Sequence, residues 1–154
     1  MSNLFIFTND LRLDDNAALY HSSLAKKGLT AAFIFNPKKW KDHHDSPLKI
    51  KFQLNHLKEI RDELIKKNIN FKIIHADGIM DEPKKILELA KKLEIKSVYV
   101  NKDYGFNERK KDDSLKSLFD KENMKFNLFD SSILNPESIK TGSGNYFKVF
   151  TPYS

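Results

Sequence analysis

The sequence predicts an α/β fold: an open five-stranded parallel sheet with helices packed on both faces. Three observations carry that prediction. Five short apolar runs, rich in aromatic and β-branched residues and bounded by polar turn residues, have the length and composition of buried parallel strands. Apolar stripes at spacings of three and four residues lie between them, as amphipathic helices require. Run and stripe alternate regularly to the fifth run, the order that builds right-handed crossover units rather than hairpins.

Leu4-Phe5-Ile6-Phe7 is the first run and stops at Thr8-Asn9-Asp10. A helix follows, capped by Asp15, carrying Ala17, Leu19 and Leu24, and closed by Gly28 just past its end. Ala31 to Phe35 is the second run, halted by Asn36-Pro37. Ser46-Pro47 opens the longest helix, with Ile50, Leu54, Leu57, Ile60 and Leu64 along one stripe. Phe71 to His75 is the third run, and Ile86, Leu89, Ala90 and Leu93 form a stripe after Pro83. Ser97 to Val100 is the fourth run, Leu115, Leu118 and Phe119 mark the last helix, and Phe126 to Phe129 is the fifth run. From about Ser131 the periodicity stops. Residues 1–131 are therefore expected to form the α/β domain, and residues 132–154, with Pro136, Gly142, Gly144 and Pro152, the start of a connector leading out of it.

Composition narrows the class. A chain of 154 residues with 40% hydrophobic and 31% charged residues supports one domain with a real core and is too apolar for a disordered protein. No run approaches the length of a membrane helix, and Met1 to Phe7 enters the first strand with no secretory signal pattern. The lack of cysteine excludes disulfides and thiolate metal sites and fits a reducing, cytoplasmic location. The net charge of +6 invites a nucleic-acid reading, but Arg12, Arg61 and Arg109 are the only arginines. The lysines are expected mostly on helix faces, and the doublets Lys66-Lys67, Lys84-Lys85, Lys91-Lys92 and Lys110-Lys111 fall where helices are expected to meet solvent.

In an open α/β sheet, ligands bind beyond the carboxyl ends of the strands, where strand order reverses. That rule singles out Thr8-Asn9-Asp10, the stretch from Asn36 to Asp45, and Asn101 to Tyr104, all rich in Asn, Asp, His and aromatics. A planar heterocycle can lie against Trp40 or Tyr104 and be fixed by Asn107 and Glu108 in the opening turn of the following helix. Alternatively, Asn107 and Glu108 serve only that helix terminus. Neither glycine-rich phosphate cradle is present, nor a nucleophile elbow. His43-His44-Asp45 is a poor metal site, because adjacent histidines diverge and helical ligand spacing is missing.

Three motifs carry a resemblance to a known family. Asp10-Leu11-Arg12-Leu13, with Asp15-Asn16, resembles the DLRLxDN signature that opens photolyases and cryptochromes. Asn101-Lys102-Asp103-Tyr104, with Asn107-Glu108-Arg109 and Asp112, is similar to a second family segment, and Tyr146 to Pro152 to the stretch leading from the first domain into the linker. Thr8-Asn9 stands where the family commonly has an arginine, and Asp14 where it often has histidine. The resemblance implies a Rossmann-like antenna domain joined to a helical domain that binds FAD and receives the pyrimidine dimer. Nothing in these residues resembles the helical domain, so the chain is not expected to be catalytic by itself, and DNA would be met only through that partner.

Trp40 to Pro47 resembles the W-x-x-H-x-x-S-P loop of folate-type photolyases, which carries a chromophore-contacting histidine over to His43 and an Asn-Glu pair over to Asn107 and Glu108. Methenyltetrahydrofolate (MTHF) is accordingly the expected antenna, with deazaflavin and FMN as the chromophores of other members. Arg12 and Asp10 are expected to be structural. Two other readings stand beside this one: a cryptochrome-type blue-light signalling module, and a stand-alone Rossmann-like nucleotide-binding protein.

Overall fold

The computed structural model describes residues 2–24, 28–131, 140–146 and 148. Its strands are β1 (Asn3–Phe7), β2 (Leu29–Phe35), β3 (Asn70–His75), β4 (Ser97–Asn101) and β5 (Lys125–Phe129). All pair in parallel, in the order β3-β2-β1-β4-β5. The chain moves outward from β1 to β3, then returns to the other flank of β1 to lay down β4 and β5. Strand order thus reverses between β1 and β4.

Helices cover both faces: α1 (Ala17–Ser23), α3 (Pro47–Lys66), α4 (Glu82–Lys92) and α5 (Phe106–Lys121). Because strand side chains alternate, the wholly buried β1 feeds two separate cores. Leu4 and Ile6 pack with Ile86 and Ala90 of α4 and Leu115 and Phe119 of α5. Phe5 and Phe7 pack with Ala18 and Leu19 of α1 and Leu57, Ile60 and Leu64 of α3. Among the described residues no helix is long and apolar enough to cross a membrane.

The five strands and the stripes of α3, α4 and α5 lie where the periodicity puts them. Three local expectations need correction. The cap of α1 is Asn16, whose side chain accepts from the Leu19 N–H at 3.0 Å, and not Asp15, which sits at φ 49 just before it. Helix α1 stops at Ser23, leaving Leu24 exposed, and Gly28 instead turns the chain at φ +88 and offers its carbonyl to Asn3. Asn36-Pro37 does not merely halt β2 but opens a further short helix, α2 (Pro37–Asp42), through the same cap-plus-proline chemistry as Ser46-Pro47.

The DLRLxDN segment is a structural knot, as Arg12 and Asp10 were expected to be. Asp10 accepts from the Thr8 backbone and hydroxyl and from the side chains of Asn16 and Asn101. Arg12 binds the Asp15 carbonyl at 3.0 Å and the Ser131 carbonyl at 2.9 Å. Of the expected connector, residues 132–139, 147 and 149–154, and with them most of the Tyr146–Pro152 motif, lie outside the described residues. The described part closes a turn in which Thr141 and Asn145 bond.

Candidate functional site

The carboxyl ends of β1 and β2 open into a pocket of about 150 Å³. Phe7, Thr8 and Asn9 form one wall, α2 supplies Lys39 and Trp40, and His43 follows as the C-terminal cap of α2. Glu82 comes from the start of α4, and Glu108 and Lys111 from α5. The site therefore sits where the strand order reverses, as the topology rule requires.

Asn36 holds the pocket's entrance together. Its side-chain oxygen accepts from Lys39 N and from Gly78 N, each at 3.0 Å, while its amide donates to Glu82 Oε1 at 2.8 Å. One buried side chain thus fixes α2, the turn before α4 and the orientation of Glu82. Trp40 stands edge-on to Phe35 at 5.0 Å and 83°, an arrangement that aromatic quadrupoles favour.

Glu108 is the central group. It occupies the third position of α5, is 8% exposed, and has Lys39 Nζ at 3.8 Å and His43 Nε2 at 3.9 Å. Both nitrogens stand beyond hydrogen-bond range, and among the described residues no donor hydrogen-bonds to this carboxylate. Its lone pairs are therefore open to the pocket, with the Lys39 ammonium nearby. The carboxylate folds back over the helix start, so that a Cβ on Gly105 would meet Glu108 Oε2 at 2.2 Å.

The structure brings His43, Trp40 and Glu108 into this pocket, and Asn107 into an adjoining hollow of about 260 Å³ with His43, Lys39 and Ile79. It does not bring Tyr104 there. The Tyr104 hydroxyl donates to Asp130 Oδ1 at 2.6 Å, and that bond, with help from Lys102, holds the Asp130 carboxyl below its ordinary range. A larger apolar groove of about 650 Å³ lies beside the edge strand, between α3 and Phe71 and Ile73, and no carboxylate lines it. Among the described residues no three metal-ligating side chains gather.

Two lysines escaped the sequence reading. Lys39 was hidden because α2 was read as a turn, although Asn36-Pro37 repeats the signal of Ser46-Pro47. Lys111 was expected on a solvated face and is instead 2% exposed, with its ammonium 3.5 Å from Asp112 Oδ1. Burial pushes the Asp112 carboxyl up to about 6, against the opposing pull of Lys111. The helical spacing from Glu108 to Lys111 was the available signal, since residues three apart share a face.

Residues 3–154 match the family model described as DNA photolyase. A deoxyribodipyrimidine photo-lyase of Buchnera aphidicola subsp. Baizongia pistaciae is 32% identical over 97% of this chain and 32% of its own length. One of Vibrio cholerae is 30% identical over 96% of this chain and 32% of its own. Among solved structures, an archaeal photolyase from Sulfolobus tokodaii superposes with a TM-score of 0.78 at 26% identity, covering 92% of this chain and 32% of that one. That structure is described as holding two FAD molecules, with the implication of a novel light-harvesting cofactor. The chain spans about a third of the length of the curated relatives it matches.

Proposed function

The chain belongs to the DNA photolyase family, and from that premise we propose that it is the antenna domain of a light-driven DNA repair enzyme, holding a reduced folate, MTHF, for a flavin carried elsewhere. The observation that supports this most is the buried Glu108 carboxylate, open to the pocket and without a hydrogen-bond donor among the described residues. A carboxylate accepts from the adjacent ring N–H and amino group of a pterin through both oxygens, a charge-assisted pair that fixes the ring's orientation. Lys39 and His43 stand beside that carboxylate, Trp40 walls the ring, and Asn107 faces the neighbouring hollow. Tyr104, tied to Asp130, stays outside the contact set.

The pocket's donor set suits a pterin edge, and its size admits that edge rather than the whole cofactor. Bound there, a folate would absorb near-ultraviolet light and pass the excitation to the flavin. The residues' part is to orient the chromophore and exclude water. The partner in this proposal is a helical FAD domain, and contact with pyrimidine-dimer DNA belongs to that domain.

Titrating MTHF into the chain, with and without a separately made FAD-binding domain and followed through its near-ultraviolet absorbance, tests the reading. The chain alone is expected to bind weakly or not at all, and the outcomes below are those with that domain present. Saturable binding that weakens roughly tenfold or more in Glu108→Gln, the loss of one charge-assisted bond, is expected. Unchanged affinity in Glu108→Gln, or no saturable folate binding, overturns it. A flavin antenna in the same pocket is the second reading, favoured by the two FAD molecules of the archaeal relative. Saturable FMN or FAD binding in place of folate would establish it.

A further inference from the structure

Lys111 is the second charged group that α5 turns into the pocket. It follows Glu108 by three residues, so the two side chains leave the same helix face one turn apart. Both line the pocket, and they are 2% and 8% exposed. An ammonium has three N–H donors and no acceptor. Among the described residues Lys111 meets one partner, Asp112 Oδ1, at 3.5 Å. A buried charge is tolerated when it is both paired and hydrogen-bonded. One carboxylate oxygen at that distance pairs the charge but leaves donors uncommitted.

We infer that Lys111 is a specificity-determining residue, donating to the ring carbonyl oxygen beside the N–H that Glu108 accepts from. The inference rests on the folate reading above. Glu108 and Lys111 place an acceptor and a donor one helical turn apart on the same pocket wall. A pterin edge presents the complement: an amino group and a ring N–H, followed by a carbonyl oxygen. An edge carrying a second amino group in place of the carbonyl would turn a donor towards the ammonium, exchanging an attraction for a repulsion, and its adjacent ring nitrogen, bare of hydrogen, would also deprive Glu108 of one donor. A site built to hydrogen-bond one group discriminates strongly against an analogue lacking it.

Folic acid and aminopterin differ at that carbonyl, which aminopterin replaces with an amino group. Each is titrated into the 154-residue chain, together with a separately made FAD-binding domain, at neutral pH, where folic acid keeps its ring N–H and the aminopterin ring carries no added proton, and binding is followed by shifts of backbone amide resonances. Folic acid is expected to bind roughly tenfold tighter or better. Lys111→Met is expected to narrow the preference to the part that comes from the ring N–H at Glu108, and Lys111→Arg to keep it whole, an outcome that a purely structural ion pair with Asp112 would not produce. A preference unchanged in Lys111→Met overturns the assignment. Equal affinity of the unaltered chain for the two compounds overturns the assignment of Lys111 and leaves the folate reading standing. Failure of both to bind removes the folate reading and this inference with it. Should Lys111→Met not fold, Lys111→Gln, whose amide can donate to a carbonyl or accept from an amino group, is expected to narrow the preference in the same way.

Discussion

Glu108 keeps its carboxylate where a single methyl group on Gly105 would contest the space. The backbone of Gly105 is ordinary, at φ −62, so the demand on this glycine is the 2.2 Å approach and not conformation. Gly105→Ala would displace only the flexible end of Glu108. The expected outcome is a stability loss under about 1 kcal/mol, as for other changes at this cap position, with folate affinity weakened about as much as in Glu108→Gln. Thermal melting and the folate titration check the two halves separately, and intact affinity would show that the carboxylate's pose is dispensable. Asp112 offers a second expectation at this scale. Its native carboxyl, pushed up to about 6 by burial from an ordinary 3.8, takes up a proton at a higher pH than the unfolded chain does. The associated stability is present below the unfolded value and lost as pH rises through the native one. Between neutral pH and about pH 4, the unfolding free energy relative to Asp112→Asn should therefore move in favour of the unaltered protein, by at most about 3 kcal/mol. Urea midpoints at the two pH values measure it. Glu108 was legible in the sequence because a motif marked it. Lys111 was not, because a lysine doublet was read as one unit, whereas neighbours on a helix point about 100° apart and one of them can face inward.

Elements with a long apolar stripe announce themselves, and α3, α4 and α5 lie where their stripes put them. Helix α2 has no stripe and buries no residue, so periodicity could not reveal it. It is held by Asn36 and by Trp40 against Phe35. The two capped helix starts make a graded test. Ser46 gives α3 one exposed hydrogen bond, to Lys49 N at 3.2 Å, and Ser46→Ala should cost about 1 kcal/mol. Asn36 gives α2 the same bond and adds the ones to Gly78 and Glu82, with 1% of its surface exposed. Asn36→Ala should therefore cost more, by the roughly 1–3 kcal/mol of stranding buried partners, and should also weaken folate binding by releasing Lys39. Denaturant unfolding of both variants checks the order, and equal costs would mean that the Glu82 and Gly78 bonds contribute nothing.

Across the whole molecule, the five strands could be read from short apolar runs, but their order could not, since parallel strands share one pattern whatever their neighbours. That order is what makes the site. It sets the ends of β1 and β2 beside the starts of α4 and α5, so that Lys39 and Glu108, distant in the chain, lie 3.8 Å apart. The same reversal point contains the knot of Asp10, Asn16 and Asn101, and the knot has a consequence for exchange with solvent. Ala18 lies in the first turn of a seven-residue helix, where backbone N–H groups have no partner within the helix. Its amide instead donates to the Asn101 side chain at 3.0 Å, across 83 residues of sequence and in a buried position. Deuterium should enter this amide only when β4 and α1 separate, at a rate near that of the most protected core amides. In Asn101→Ala it should exchange as fast as a frayed helix end. A single resonance near the amino terminus would then time the opening of the crevice between the two halves of the sheet.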